Sequence, residues 1–319
     1  MRNIHALAAV LTLCLATPAA ANEPLPPAGS DEEKAVIPLH DPADERVTVP
    51  VSIDGKGPWH FVVDTGAQRT VISRALADEL ALTRGAMVTV LSMTGTSQAD
   101  TVALPRLGFG QGTVDNIEAP VLEGQHLGAA GLLGLDGLQS KRLLLDFRSG
   151  RMEISRSRRA AVAGDAILVE ARRRRGQLIL LDSDINGMRV NIVLDTGTDI
   201  SVGNIALMEK LMRQKRAPKL SRATLTSVTG ETLTGLAGAI DTVRMGRVTL
   251  KGLGVLFADA APFAELGLRD KPALLLGINA LRVFDRVAID FGTSRVDFLL
   301  PDLGAMDKAR FAEAGAGAG

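Results

Sequence analysis

Short apolar runs separated by polar turn residues dominate the chain, and their length predicts strands joined by tight connections rather than long helices. Val36-Ile37-Pro38-Leu39 and Arg46-Val47-Thr48-Val49 are followed by Asp54-Gly55. Ala166-Ile167-Leu168-Val169 and Gln177-Leu178-Ile179-Leu180 are followed in the same way by Asn186-Gly187. Both dipeptides favour two-residue hairpins, whose central positions need positive φ. Next in each series comes a buried apolar run, Phe61-Val62-Val63 or Ile192-Val193-Leu194, that breaks into a tight turn. A stretch with helical spacing follows, Ile72 to Leu82 in the first series and Ile205 to Arg213 in the second.

The correspondence continues downstream. Ser92-Met93-Thr94-Gly95 and Ser227-Val228-Thr229-Gly230 each read as the tip of a hairpin. Gly131-Leu132-Leu133-Gly134-Leu135-Asp136 then matches Leu274-Leu275-Leu276-Gly277-Ile278-Asn279. Each series ends on a closing hairpin, Leu145-Asp146-Phe147 with Met152-Glu153-Ile154 or Ile289-Asp290-Phe291 with Val296-Asp297-Phe298. Shared turn preference does not reproduce so many elements in one order, so the chain reads as two copies of one domain.

Where the paired apolar runs break stand Asp64-Thr65-Gly66 and Asp195-Thr196-Gly197. Asp and Gly are common turn residues, and one such tripeptide carries little information. Two in matched surroundings suggest a carboxylate pair. Carboxyls held close cannot both ionise easily, so they share a proton, and one serves as general base while the other serves as acid. Gly66 and Gly197 lack a Cβ, which lets the backbone turn sharply and the two Asp side chains approach.

These residues resemble the retropepsin-like aspartic peptidases in their single-chain bacterial form, and the resemblance runs from about Ala35 to Leu300. It implies a mainly β fold of two tandem acid-protease β-barrel lobes, each with a short helix or two, and a cleft between them. It further implies that Asp64 and Asp195 are the catalytic pair and that Thr65 and Thr196 hydrogen-bond across the two turns. Leu133, Gly134, Leu276 and Gly277 match the apolar-apolar-Gly strand that threads behind each turn, and Met93, Thr94, Gly95, Val228, Thr229 and Gly230 match the flaps over substrate. Retroviral relatives carry Arg after that Gly, whereas this chain has Leu135-Asp136 and Ile278-Asn279; a covalent link between halves makes the missing ion pair less necessary. Pepsin-like flaps carry a Tyr, and this chain contains none.

The fourth motif residue differs between copies, Ala67 against Thr198. A hydroxyl there can donate to its neighbouring carboxylate and favour the charged form, so the expectation is that Asp195 carries the charge and Asp64 the proton. The function implied is an aspartic endopeptidase acting on exported proteins or peptides, including a self-processing protein with one target. The alternative is a non-catalytic peptide-binding or regulatory protein on the same fold, which has no need of two carboxylates forced together.

Other chemistries lack their residues: the chain has no Gly-x-Ser-x-Gly elbow, no Gly-Lys-Ser/Thr phosphate loop and a single Cys. His5, His40, His60 and His126 are scattered and form no ligand set, so no metal and no cofactor are expected; His60 reads as a strand-surface residue and Gly108 to Gly112 as a turn. Formal net charge is zero, which implies neither nucleic acid nor a membrane surface as partner. Arg172-Arg173-Arg174-Arg175 reads as a solvated hairpin tip. Aromatic residues are 3% of the chain, so cores and substrate pockets should be built from aliphatic side chains.

Arg2, the apolar segment Ala6 to Ala16 and Pro18-Ala19-Ala20-Ala21 read as a secretory signal peptide, residues 1–21, placing the protein in the periplasm or outside the cell. Leu13 stands where a lipoprotein signal has a small residue, so no lipid anchor is expected at Cys14, and the mature chain has no Cys for a disulfide. Residues 22–34 read as a flexible leader too short and acidic to block the pair. The expected lobes are 35–155 and 165–300, joined by a connector, 156–164, that Arg156, Arg158 and Arg159 make open to nicking. Residues 301–319 read as a disordered tail. No later segment resembles a membrane span, and with both lobes in one chain a monomer is expected.

Overall fold

The computed structural model describes residues 35–38, 47–110, 112–158, 166–214 and 217–301. The expected signal segment and leader, most of the connector with Arg159, and the tail beyond Pro301 lie outside the described residues, as do Leu39, His40 and Arg46.

In the first half, β1 (Ala35–Pro38) precedes a hairpin of β2 (Thr48–Ile53) and β3 (Lys56–Val63). Asp54 and Gly55 turn it with φ of 49° and 78°, the positive values that the Asp-Gly dipeptide predicts. Then come β4 (Val71–Ser73) and α1 (Arg74–Glu79), capped by Ser73, whose hydroxyl accepts the Leu76 N–H. The helix is shorter than the predicted span of Ile72 to Leu82 because Ile72 and Ser73 are drawn into the sheet opposite Val121 and Leu122. β5 (Val88–Leu91) and β6 (Thr96–Ala99) form a separate hairpin. The long hairpin of β7 (Thr101–Phe109) and β8 (Gly112–Leu122) follows, then α2 (Gly124–Leu127), β9 (Gly131–Leu133), α3 (Leu135–Leu138) and the closing hairpin, β10 (Lys141–Asp146) and β11 (Arg151–Arg156).

The second half repeats the order. β12 (Ile167–Arg174) and β13 (Gln177–Leu180) flank a turn at Arg175 and Gly176, so three of the four consecutive arginines lie in a strand and only Arg175 at the tip. β14 (Ser183–Ile185), β15 (Met188–Arg189) and β16 (Asn191–Leu194) follow, with Asn186-Gly187 again at positive φ. Then come β17 (Ser201–Gly203), α4 (Ile205–Met212), and a hairpin of β18 (Ser221–Thr226) with β19 (Thr232–Met245). β20 (Val248–Phe257), α5 (Ala261–Glu265), β21 (Ala273–Leu276), α6 (Ile278–Leu281), β22 (Arg286–Asp290) and β23 (Arg295–Leu299) complete it.

In the first half β2, β3, β9, β4, β8 and β7 close into a barrel. The second half has the same ring with interruptions, because Asp182, at φ 50°, separates β13 from β14 and Val190 separates β15 from β16. The halves are joined by one antiparallel sheet in the order β1-β11-β10-β22-β23-β12. Its central pairing, Leu144 opposite Ala288, crosses from one half to the other. Leu143, Leu145, Met152 and Ile154 share a continuous buried cluster with Val287, Ile289, Val296 and Phe298, so the halves also share core. Each such side chain contributes about 1.5–3 kcal/mol relative to exposure. The sheet thus fixes the two barrels relative to each other, and their facing ends form a cleft. Among the described residues no helix is long and apolar enough to cross a membrane.

Candidate active site

β3 and β16 are all-apolar and buried where they enter the two Asp-Thr-Gly turns. β9 runs parallel to β3 and β21 parallel to β16. Each threading strand seizes the turn on both sides. Asp64 donates its N–H to the Leu133 carbonyl (3.0 Å) and Leu135 donates to Ala67 (2.9 Å), while Asp195 donates to Leu276 (3.1 Å) and Ile278 to Thr198 (2.9 Å). Gly134 and Gly277 leave room for this threading, since a Cβ there would lie 2.5 Å and 2.8 Å from the carbonyl oxygens of Arg69 and Ile200.

The two threonines bind the turns to each other. The Thr65 N–H donates to Thr196 Oγ1 (3.1 Å) and the Thr196 N–H to Thr65 Oγ1 (3.0 Å). Each hydroxyl then donates across the interface, Thr65 to the Leu194 carbonyl (3.1 Å) and Thr196 to the Val63 carbonyl (2.6 Å). Both side chains are buried, so every donor and acceptor in this quartet is met without water.

That junction brings the carboxyls face to face. Each crosses over the other half's glycine: a Cβ on Gly66 would lie 2.7 Å from the Asp195 carboxyl, and one on Gly197 would collide with the Asp64 carboxyl. Burial first, and the neighbouring Asp64 charge second, push the Asp195 carboxyl up to about 8, against the opposing pull of the Gly197 N–H. Asp64 Oδ1 accepts two backbone N–H groups, from Gly66 (2.8 Å) and Ala67 (2.9 Å), whereas Asp195 Oδ1 accepts one from Gly197 (3.0 Å). Burial and a single backbone donor thus favour a proton on Asp195, and the two donors on Asp64 favour its charged form, the opposite sense to the expectation from Thr198. The physical reason is that the Thr198 hydroxyl donates to the Ile200 carbonyl (2.8 Å) instead of to Asp195.

Two flaps close over the pair. The tip of the β5–β6 hairpin reaches the second half, where Met93 packs with Leu225 and Leu233 on the cluster that contains Phe263, and the Met93 carbonyl accepts the Ala261 N–H (3.0 Å). Val228, at the tip of the β18–β19 hairpin, crosses the other way onto the cluster of Val62, Leu127 and Leu132. Met93 and Val228 line the cleft below. Thr94, Thr229 and Gly230 instead make the junction between flaps: Thr94 hydrogen-bonds Glu231, Thr229 donates to Ser92 Oγ (3.2 Å), and Gly230 lies against the His126 ring. Gly95, at φ 147°, supplies the turn geometry of the first tip.

The cleft encloses about 430 Å³. Val71, Val90, Leu122 and Leu132 face it from the first half and Leu225, Val228 and Leu266 from the second, an aliphatic lining in keeping with the scarcity of aromatic residues. Gln68, Arg69, Asp199 and Glu265 supply its polar margin.

Three further residues, to which the motifs assign no role, brace the turns. Asp136, behind the first turn, accepts the Thr70 N–H (2.9 Å) and hydroxyl (2.7 Å), and Asn279 plays the equivalent part for Ser201 N–H (2.9 Å) and hydroxyl (2.8 Å). Both stand at the position after the residue that replaces the retroviral Arg, and their recurrence at one repeat position was the available clue. Gln177, at the start of β13, donates Nε2 to the Gly66 carbonyl (2.6 Å) from the opposite half. No local pattern distinguishes it from a strand-end residue.

Two family models match the chain in tandem: that of the gag-polyprotein aspartyl protease over residues 49–140, and that of an aspartyl protease over residues 181–280. Each spans one Asp-Thr-Gly turn and its threading strand. No curated protein matches the chain.

Proposed function

The chain belongs to the retropepsin-like aspartic peptidases, with both copies of the fold on one polypeptide, and we propose that it is an endopeptidase whose water is activated between Asp64 and Asp195. The observation that carries this reading is the reciprocal crossing of the two carboxyls over Gly66 and Gly197, which places them where one proton can serve both groups. Two carboxyls buried together at a domain junction cost the fold stability, and perturbed groups of that kind cluster at functional sites.

In this mechanism Asp64 takes a proton from a water as that water attacks the scissile carbonyl carbon, and Asp195 gives its proton to the carbonyl oxygen. Collapse of the tetrahedral species returns the hydroxyl proton to Asp195, breaks the C–N bond, and passes the proton held by Asp64 to the leaving nitrogen. The substrate is an extended peptide lying under both flaps, with aliphatic side chains beside the cut bond against Val71, Leu132, Leu225 and Leu266. The N-terminal segment directs the enzyme to exported proteins or peptides, and because each half supplies one Asp, a single chain suffices as a monomer.

The test compares cleavage of a diverse peptide library by the wild type, Asp64→Asn and Asp195→Asn. Wild-type cuts flanked by aliphatic residues, lowered at least about 1,000-fold in both variants, are expected. Cleavage retained by either variant overturns the dyad, and cuts dominated by charged residues overturn the substrate class.

A further inference from the structure

We propose that Gln177 is a positioning residue of the reaction: its side-chain amide, supplied by the second half, holds the Gly66–Ala67 peptide of the first half and thereby designates Asp64 as the carboxyl that carries the charge. The inference rests on the dyad reading above and goes one step further, by naming a contact that distinguishes two near-identical turns.

The geometry runs through one peptide plane. The Gly66 carbonyl and the Ala67 N–H belong to the same planar unit, so a donor on one end fixes the direction of the other. Gln177 Nε2 donates to that carbonyl at 2.6 Å, and the Ala67 N–H points to Asp64 Oδ1 at 2.9 Å. Hydrogen bonds in series polarise one another, which strengthens the N–H as a donor to an anion. The second N–H on Asp64, from Gly66, is matched by that from Gly197 on Asp195, whereas among the described residues the Ala67 N–H has no counterpart from Thr198 on Asp195.

The surroundings of Gln177 favour a retained donor over a packing role. The residue is only 6% exposed, and the three residues after it, Leu178, Ile179 and Leu180, are buried aliphatics. Its other amide atom, Oε1, is buried with no partner among the described residues. An unpaired buried acceptor is destabilising, a cost that a Met or Leu of similar volume would avoid. Such a cost is tolerated where the opposite end of the group serves the site. The turn that presents Gln177 is itself docked: Gly176 lies against the Leu135 side chain, and Arg175 pairs with Glu265 on α5.

Among the described residues, charged groups near the dyad do not supply the same asymmetry on removal of Gln177. Arg69, Asp199 and Glu265 line the same cleft, and Arg174 stands opposite Gln177 in the hairpin with its guanidinium on Gly267. All four remain in place when the amide is replaced.

The test is Gln177→Met, read by the pH titration of ¹³C-labelled Asp carboxyls, assigned with Asp64→Asn and Asp195→Asn, beside the pH profile of kcat/KM. In the wild type the Asp64 carboxyl is expected to ionise first. In Gln177→Met its titration, and the acidic limb of the profile, should move up by about half a unit to one unit, with thermal unfolding still cooperative. An unmoved titration with activity lowered equally at every pH makes Gln177 a structural prop and overturns the inference, as does first ionisation at Asp195. A wild type that cuts no peptide removes the peptidase reading, while the carboxyl titration still decides this one.

Discussion

At the scale of single residues, the most constrained positions are those with the least side chain. Gly66 and Gly197 touch the carboxyl of the opposite half, so a methyl group at either is forced against the Asp it faces. Neither turn can retreat, because the threonine quartet fixes the two to within hydrogen-bond tolerance. Gly197→Ala and Gly66→Ala are expected to lower kcat about 100-fold or more, since a shift near 1 Å at the reacting groups has that effect. Steady-state kinetics paired with thermal unfolding checks it; activity within a few-fold of wild type would show that the carboxyls need no such closeness. The motif made the two Asp and two Gly legible, and their roles follow from residue type alone. The direction of a hydroxyl does not. The motif places a hydroxyl at Thr198 beside Asp195, yet that hydroxyl donates to the Ile200 carbonyl two residues on, the kind of local backbone partner that Ser and Thr side chains often take.

At the scale of elements, the hairpins were legible where a dipeptide dictates φ, as at Asp54-Gly55 and Asn186-Gly187, and the threading strands where an apolar run ends in Gly. Pairings across the halves have no local signature. Nothing in the pattern of β10 tells that its partner is β22, nor that each flap tip packs on the core of the opposite half. The crossed flaps make Gly230 a sensitive position. It sits at φ 86° with its Cα against the His126 ring, so Gly230→Ala meets both backbone strain and a collision. The expected result is kcat/KM lowered about 10-fold, mostly through KM, because the flap tip must lift from α2 while the dyad is untouched. His126→Ala in the same chain should restore part of the loss. A double variant no better than Gly230→Ala would place the whole effect in the backbone.

At the scale of the whole molecule, the pair that the two halves bring together also opposes their folding as pH rises. Asp195 titrates near 3.8 when unfolded and at about 8 in the folded chain, where burial and the Asp64 charge disfavour its anion. Between those values the folded state keeps a proton that the unfolded chain has released. Stability then falls with rising pH: the contribution is complete below about pH 4 and lost as pH passes through about 8, over a range on the order of a few kcal/mol. Asp182 acts in the opposite sense at the acid end, where its hydrogen bonds to Arg244 hold its carboxyl below the ordinary value and stabilise only while it is charged. The two are separable because Asp182 is at the surface and its contribution is screened by salt, whereas the dyad is buried. Denaturant unfolding from pH 4 to 8 should therefore show wild-type stability declining relative to Asp195→Asn, whose amide has no proton to lose, with the gap unaffected by 0.5 M salt on the order used to screen surface pairs. Parallel pH dependence in the two proteins would mean that the carboxyls are held far enough apart to ionise independently, and the shared proton on which the proposed chemistry depends would be gone.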